Sequence, residues 1–119
     1  MKQSNLFMDR KTKKRLNDIL IAISEIESFL EQRPRDFQVF IDDHMFRSAI
    51  ERQVSIIGEA VAQILKTDPE IQISEARHIR ATRNFLIHSY DTIRIDMIWG
   101  IVINDLPKLK LEVQALLDS

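Results

Sequence analysis

The sequence predicts an all-α protein, an antiparallel four-helix bundle, on three observations. Apolar residues recur at spacings of three and four through long stretches of the chain, which is the helical period. Two Gly and three Pro in 119 residues are too few to furnish the turns of a β-rich fold. Leu, Ile, Glu, Lys, Arg and Ala, most of them good helix formers, are abundant. A chain of this length with 45% hydrophobic residues can bury one core but not two, so a single domain over residues 1–119 is expected.

The first helix is expected from Lys11 to about Gln32, with Leu16, Ile19, Leu20, Ile23, Ile26 and Leu30 on one stripe. Its basic beginning and acidic second half oppose the helix dipole, so tertiary packing must stabilise it. Arg33-Pro34-Arg35-Asp36 ends it. A second helix starts between Phe37 and Asp43, carries Ile50, Val54, Ile57, Val61 and Ile64, and stops at Thr67-Asp68-Pro69. Ser55, Gly58, Ala60 and Ala62 thin its middle, and a mid-helix glycine costs about 1 kcal/mol against alanine, so a neighbouring helix or second protomer should approach its backbone closely. Ser74 is placed to cap a third helix, with Glu75 in its first turn, running to about His88 or Tyr90. Asp91-Thr92 reads as the junction to a last helix burying Ile98, Val102, Leu106, Leu109, Val113 and Leu116. Pro107 lies inside that pattern, which predicts a kink or break with Asp105 capping the restarted segment.

Charge is nearly balanced, 17 Lys plus Arg against 18 Asp plus Glu, so no global field recruits nucleic acid or membrane and any polyanion site must be local. The absence of cysteine removes disulfides, thiolate metal sites and a cysteine nucleophile, and agrees with a reducing cytoplasm. No apolar run has signal-peptide or membrane-spanning character, so a soluble, unprocessed cytoplasmic protein without membrane contact is expected.

Arg77, His78, Arg80, Arg83, His88 and Arg94 gather in one stretch against Glu75 and Asp91, the best local anion site in the sequence. Guanidinium groups give phosphate paired, charge-assisted hydrogen bonds. His88 adds a side chain able to take or give a proton near neutrality. Arginine and histidine, with neither metal nor cofactor, suffice to cleave RNA: the histidine moves the proton of the ribose 2′-hydroxyl or of the leaving 5′-oxygen, and the arginine stabilises charge on the phosphoryl oxygens. On a regular helix, at about 100° per residue, Asn84 and His88 share a face while Arg83 lies roughly 140° from His88. Either the helix ends before His88, or Arg83 reaches round, or two copies meet across a two-fold axis; the dimer is favoured, since it supplies one histidine as base and one as acid.

Arg83, His88 and Tyr90 together form R-x4-H-x-Y, and in this the chain resembles the HepT-like branch of the HEPN superfamily. The resemblance extends through Arg47 to Gln53, Ile56-Ile57-Gly58-Glu59-Ala60, Trp99 and Asp105-Leu106-Pro107, covering the chain from about Met45 onward. It implies a homodimeric, metal-independent endoribonuclease toxin of a type II toxin–antitoxin system, with Arg83 and His88 catalytic and Asn84 supporting. It further implies a partner, an MNT-type nucleotidyltransferase antitoxin, that transfers AMP from ATP onto Tyr90 and so blocks the RNA cleft. Glu59 and Arg52 receive no catalytic role.

Blander readings stand beside these. Arg83 also reads as an ion-pair partner of Glu75 or Asp91, and Tyr90 as an amphipathic core-edge residue. Asp42-Asp43-His44 groups two carboxylates with an imidazole, but adjacent residues face different sides of a helix, so a solvated helix start is expected there and no metal. Trp99 is expected to pack in the bundle or a dimer interface. The alternative function is a non-catalytic HEPN module that binds a nucleotide or docks a nucleotidyltransferase.

Overall fold

A computed structural model describes residues 8–84 and 92–119. All regular structure among the described residues is helical. The order is α1 (Arg10–Glu31), α2 (Phe37–Asp42), α3 (His44–Thr67), α4 (Ala76–Arg80), a 3₁₀ turn (Ala81–Asn84), α5 (Thr92–Gly100), a π-helical segment (Ile101–Asp105) and α6 (Leu106–Asp118).

The expected apolar stripe of α1 is the buried one: Leu16, Ile19, Ile23, Ile26 and Leu30 are core residues, and Leu20 packs at their edge. Asp9 starts the helix by accepting the Thr12 amide at 2.8 Å. Packing rather than the dipole holds its acidic half, where Glu27 meets Lys110 of α6 at 3.0 Å. Ile50, Val54, Ile57, Val61 and Ile64 of α3 pack against α1, and Leu106, Leu109, Val113 and Leu116 of α6 close over the same core.

The second helix departs from expectation by being two. Asp36 caps α2 through the Gln38 amide at 2.7 Å. Asp43 then leaves the helical region and caps α3 through the Phe46 amide at 3.0 Å, while its carboxylate also meets Arg33 Nε at 2.8 Å. Asp43 thus ends one helix and caps the next, in keeping with the helix-start reading of Asp42-Asp43-His44. The break lets α2 cross towards α5, where Trp99 packs against Phe40 and Phe37 with ring centroids 4.8 and 6.5 Å apart. Trp99 is therefore engaged within the protomer.

Pro107 disturbs the last helix as expected, but in another form. It sits in the first turn of α6, and the turn before it widens so that the Leu106 amide bonds Ile101 O, five residues back. A widened turn accommodates a proline ring that would otherwise press on the carbonyl four residues earlier. Asp105 keeps helical backbone angles and makes no side-chain cap, contrary to the capping expectation, because its carboxylate is directed at His78.

Candidate active site

The glycine in the middle of α3 marks the place where the motif-bearing segment lands. A Cβ on Gly58 would stand 2.3 Å from Thr82 Oγ1, 2.8 Å from the Arg83 amide nitrogen and 3.0 Å from Ile79 O, so that the neighbouring turn would have to shift to admit it. The close neighbour is thus the 3₁₀ turn of the same chain. Thr82 is fully buried, and its hydroxyl faces two carbonyls, Ile79 O at 2.7 Å and Val54 O at 3.2 Å. Ser55, three residues before Gly58 on the same face of α3, donates to Arg83 O at 3.4 Å. Together these fix the backbone of Arg83 on both sides.

The segment is not the long helix expected from Ser74. Residue 75 precedes a five-residue α4 and makes no side-chain cap, and the α-helix gives way to the 3₁₀ turn before Arg83. Ser74 contributes its amide instead, bonded to the Glu112 carboxylate at 3.1 and 3.3 Å. Within the Ala81–Asn84 turn the advance is about 120° per residue rather than the 100° of a regular α-helix. Asn84 ends that turn. His88 and Tyr90 lie outside the described residues.

Arg83 directs its side chain along the surface of α3, where Nε pairs with Glu59 Oε1 at 3.2 Å. The other oxygen of Glu59 accepts from Gln63 Nε2 at 2.7 Å, one turn further along the helix. Of the expected partners, Glu75 faces Lys108 at 3.9 Å instead, and Asp91 lies outside the described residues. His78 meets Asp105 through Nδ1 at 3.0 Å. Arg77 and Arg80 are exposed. The basic cluster is thus more compensated than its sequence neighbourhood indicates, since the fold brings two carboxylates to it, Glu59 from α3 and Asp105 from the π segment. Sequence reasoning assigned neither. A mid-helix glycine followed at once by an acid was the available signal: the element that packs on Gly58 must pass beside Glu59.

A groove of about 340 Å³ runs between α1 and α3 next to this pair, lined by Arg15, Asp18, Ile21, Gln53, Ile56 and Glu59. Ile21 is 62% exposed, which is high for a side chain of its size. None of the described helices is long and apolar enough to cross a membrane.

Residues 19–116 match the family model described as Ribonuclease HepT-like. The chain belongs to the HepT-like ribonuclease family. A protein of Methanocaldococcus jannaschii named "Putative RNase MJ1380" is 34% identical over 107 residues, spanning 88% of this chain and 95% of the relative. One of Thermococcus cleftensis named "Probable ribonuclease HepT" is 34% identical over 113 residues, spanning 92% and 98%. No solved structure matches the chain. Family membership and the names of these relatives support a ribonuclease function, and within the family match fall Gly58, Glu59, Thr82 and Arg83, the residues that build the described part of the site.

Proposed function

We propose that the protein is a metal-independent endoribonuclease, the toxin of a type II toxin–antitoxin pair, that cleaves RNA with Arg83 and His88. The observation that carries this reading is Arg83 itself. Its backbone is fastened to α3 by close contacts while its side chain is 37% exposed, within a complete R-x4-H-x-Y segment of a HepT-like chain.

In the reaction the ribose 2′-oxygen attacks phosphorus as its proton passes to a histidine, and the bond to the 5′-oxygen breaks as that oxygen gains a proton. Arg83 stabilises the charge that builds on the non-bridging oxygens. Asn84 supports His88. Two protomers supply two copies of His88 to one composite cleft, one as base and one as acid, which a single copy does not provide. The exposed Ile21 and Ile56 beside Glu59, flanked by Arg15 and Asp18 of opposite sign, suit a self-complementary contact with a second copy. An MNT-type nucleotidyltransferase restrains the enzyme by moving AMP from ATP onto Tyr90, two residues from His88: the phenolic oxygen loses its proton and bonds the α-phosphorus as pyrophosphate leaves, and the added nucleotide brings anionic groups to the arginines.

The test is cleavage of a structured RNA in excess chelator by wild type, His88→Ala and Arg83→Ala, with oligomeric state measured by light scattering. Cutting by wild type alone supports the reading. If the three preparations are inert or cut alike, the catalytic claim fails and a docking or nucleotide-binding module becomes the better description. With antitoxin and ATP, wild type should gain the mass of AMP and Tyr90→Phe should not.

A further inference from the structure

We infer that Glu59 is the positioning residue of this site, holding Arg83 by Nε so that the terminal edge of the guanidinium faces the scissile phosphate; the inference rests on the ribonuclease reading. Three features of the structure argue for it. The contact is through Nε (3.2 Å to Oε1), on the stem side of the guanidinium, and the edge formed by the two terminal nitrogens is one that can make paired hydrogen bonds to a phosphate. The carboxylate is itself aimed, since Gln63 Nε2 donates to its second oxygen at 2.7 Å, and both residues stand on α3, whose opposite side is core. Gln63, Glu59 and Arg83 thus form a chain of contacts that starts on a rigid element and ends on the group that meets substrate.

The pair is also a poor candidate for a purely structural role. Its members are 37% and 49% exposed, and ion pairs of that exposure contribute little to stability. The fold has already fixed the Arg83 backbone through Ser55, Gly58 and Thr82 without help from Glu59. What remains undetermined by those contacts is the direction of a long, flexible side chain, and that is what a carboxylate at Nε sets. Misplacement of such a group by about 1 Å can cost on the order of a hundredfold in rate.

The opposing hypothesis is a carboxylate that competes with phosphate for Arg83. The two differ in sign. Glu59→Gln keeps the size of the side chain and an acceptor oxygen but removes the charge. Under the positioning role, kcat falls on the order of ten- to a hundredfold while KM and the melting temperature stay near wild type, and the loss from Glu59→Gln shrinks in the background of Arg83→Lys, which keeps the charge but has no Nε. Under competition, Glu59→Gln binds RNA more tightly and cuts faster, which overturns the inference, as does an equal loss from Glu59→Gln with and without Arg83→Lys. If wild type does not cut RNA, it is the ribonuclease reading that has failed, and the pair is then judged by the nitrogen-15 NMR signal of the Arg83 Nε–H. That signal must shift in Glu59→Gln; an unchanged signal refutes the positioning of Arg83 by Glu59.

Discussion

Replacing Gly58 by alanine tests the packing on which the site depends, because two effects of opposite sign meet there. Alanine in a helix interior is more favourable than glycine by about 0.8–1.0 kcal/mol, so on propensity alone Gly58→Ala would stabilise α3. The added methyl, however, would lie 2.3 Å from Thr82 Oγ1, 2.8 Å from the Arg83 nitrogen and 3.0 Å from Ile79 O. Overpacking usually costs about 1–3 kcal/mol. Two of the three contacts are backbone atoms, which cannot swing aside as the end of a side chain would, so the upper part of that range applies and the net loss should be about 1–2 kcal/mol. With an unfolding entropy of roughly 2 cal/mol/K per residue over 119 residues, 1 kcal/mol corresponds to about 4 °C. Thermal denaturation followed by circular dichroism, at matched protein concentration, should therefore show a midpoint about 4–8 °C below wild type. Adding Thr82→Ala removes the shortest contact but leaves the one to Arg83, so the double variant should lose less than the sum of the singles. A Gly58→Ala midpoint equal to or above wild type would refute the close packing.

Three further outcomes are expected. Thr82→Val keeps the buried shape but strips the hydroxyl from Ile79 O and Val54 O, costing about 1–2 kcal/mol in a chemical denaturation curve and lowering RNA cleavage through Arg83. Phe40→Ala empties a fully buried site and should cost about 3–5 kcal/mol, with a red shift of Trp99 fluorescence as its ring neighbour at 4.8 Å is lost. The Asp43 carboxyl is held below its ordinary value by the Arg33 side chain, then by the Phe46 amide. A depressed folded value means that the unfolded chain binds the proton more readily, so this contribution is present above about pH 3.8 and is lost as pH falls through the folded value. Asp43→Asn should therefore flatten the acid limb of a melting-temperature profile, and an unchanged limb would count against the Arg33–Asp43 pair.

The parts of the fold legible in the sequence are those set by local period. Every apolar residue assigned to the α3 and last-helix stripes is buried, and on α1 only Leu20 sits at the margin. Side-chain uses that depend on distant partners were less legible. Asp105 reads as a cap, yet His78 from another element claims its carboxylate. Asp43 reads as part of a helix start, but that it also ends α2 follows from the aromatic contacts that draw Phe37 and Phe40 to Trp99. Arg83 was recognisable by its motif, whereas its partner Glu59 lies on another helix 24 positions earlier, where the fold alone brings the two together. The change from α to 3₁₀ was hidden for the same reason: the buried Thr82 hydroxyl takes carbonyls both from its own turn and from α3.

This division has a functional consequence. The backbone of the motif turn is secured from inside by Gly58, Thr82 and Ser55, and its approach is clamped from the other side by α6 and the π segment through Glu112 to Ser74, Lys108 to Glu75 and Asp105 to His78. Among the described residues the Arg83 guanidinium is paired at Nε with a carboxylate that is half open to water. Changes at the inner contacts must therefore move stability and cleavage together, whereas changes at Glu59 must move cleavage alone. That separation distinguishes a site built into the core from one merely carried on it: if Thr82→Val and Glu59→Gln both lowered activity but only the first lowered the melting temperature, Arg83 would be placed by the core and aimed by the surface.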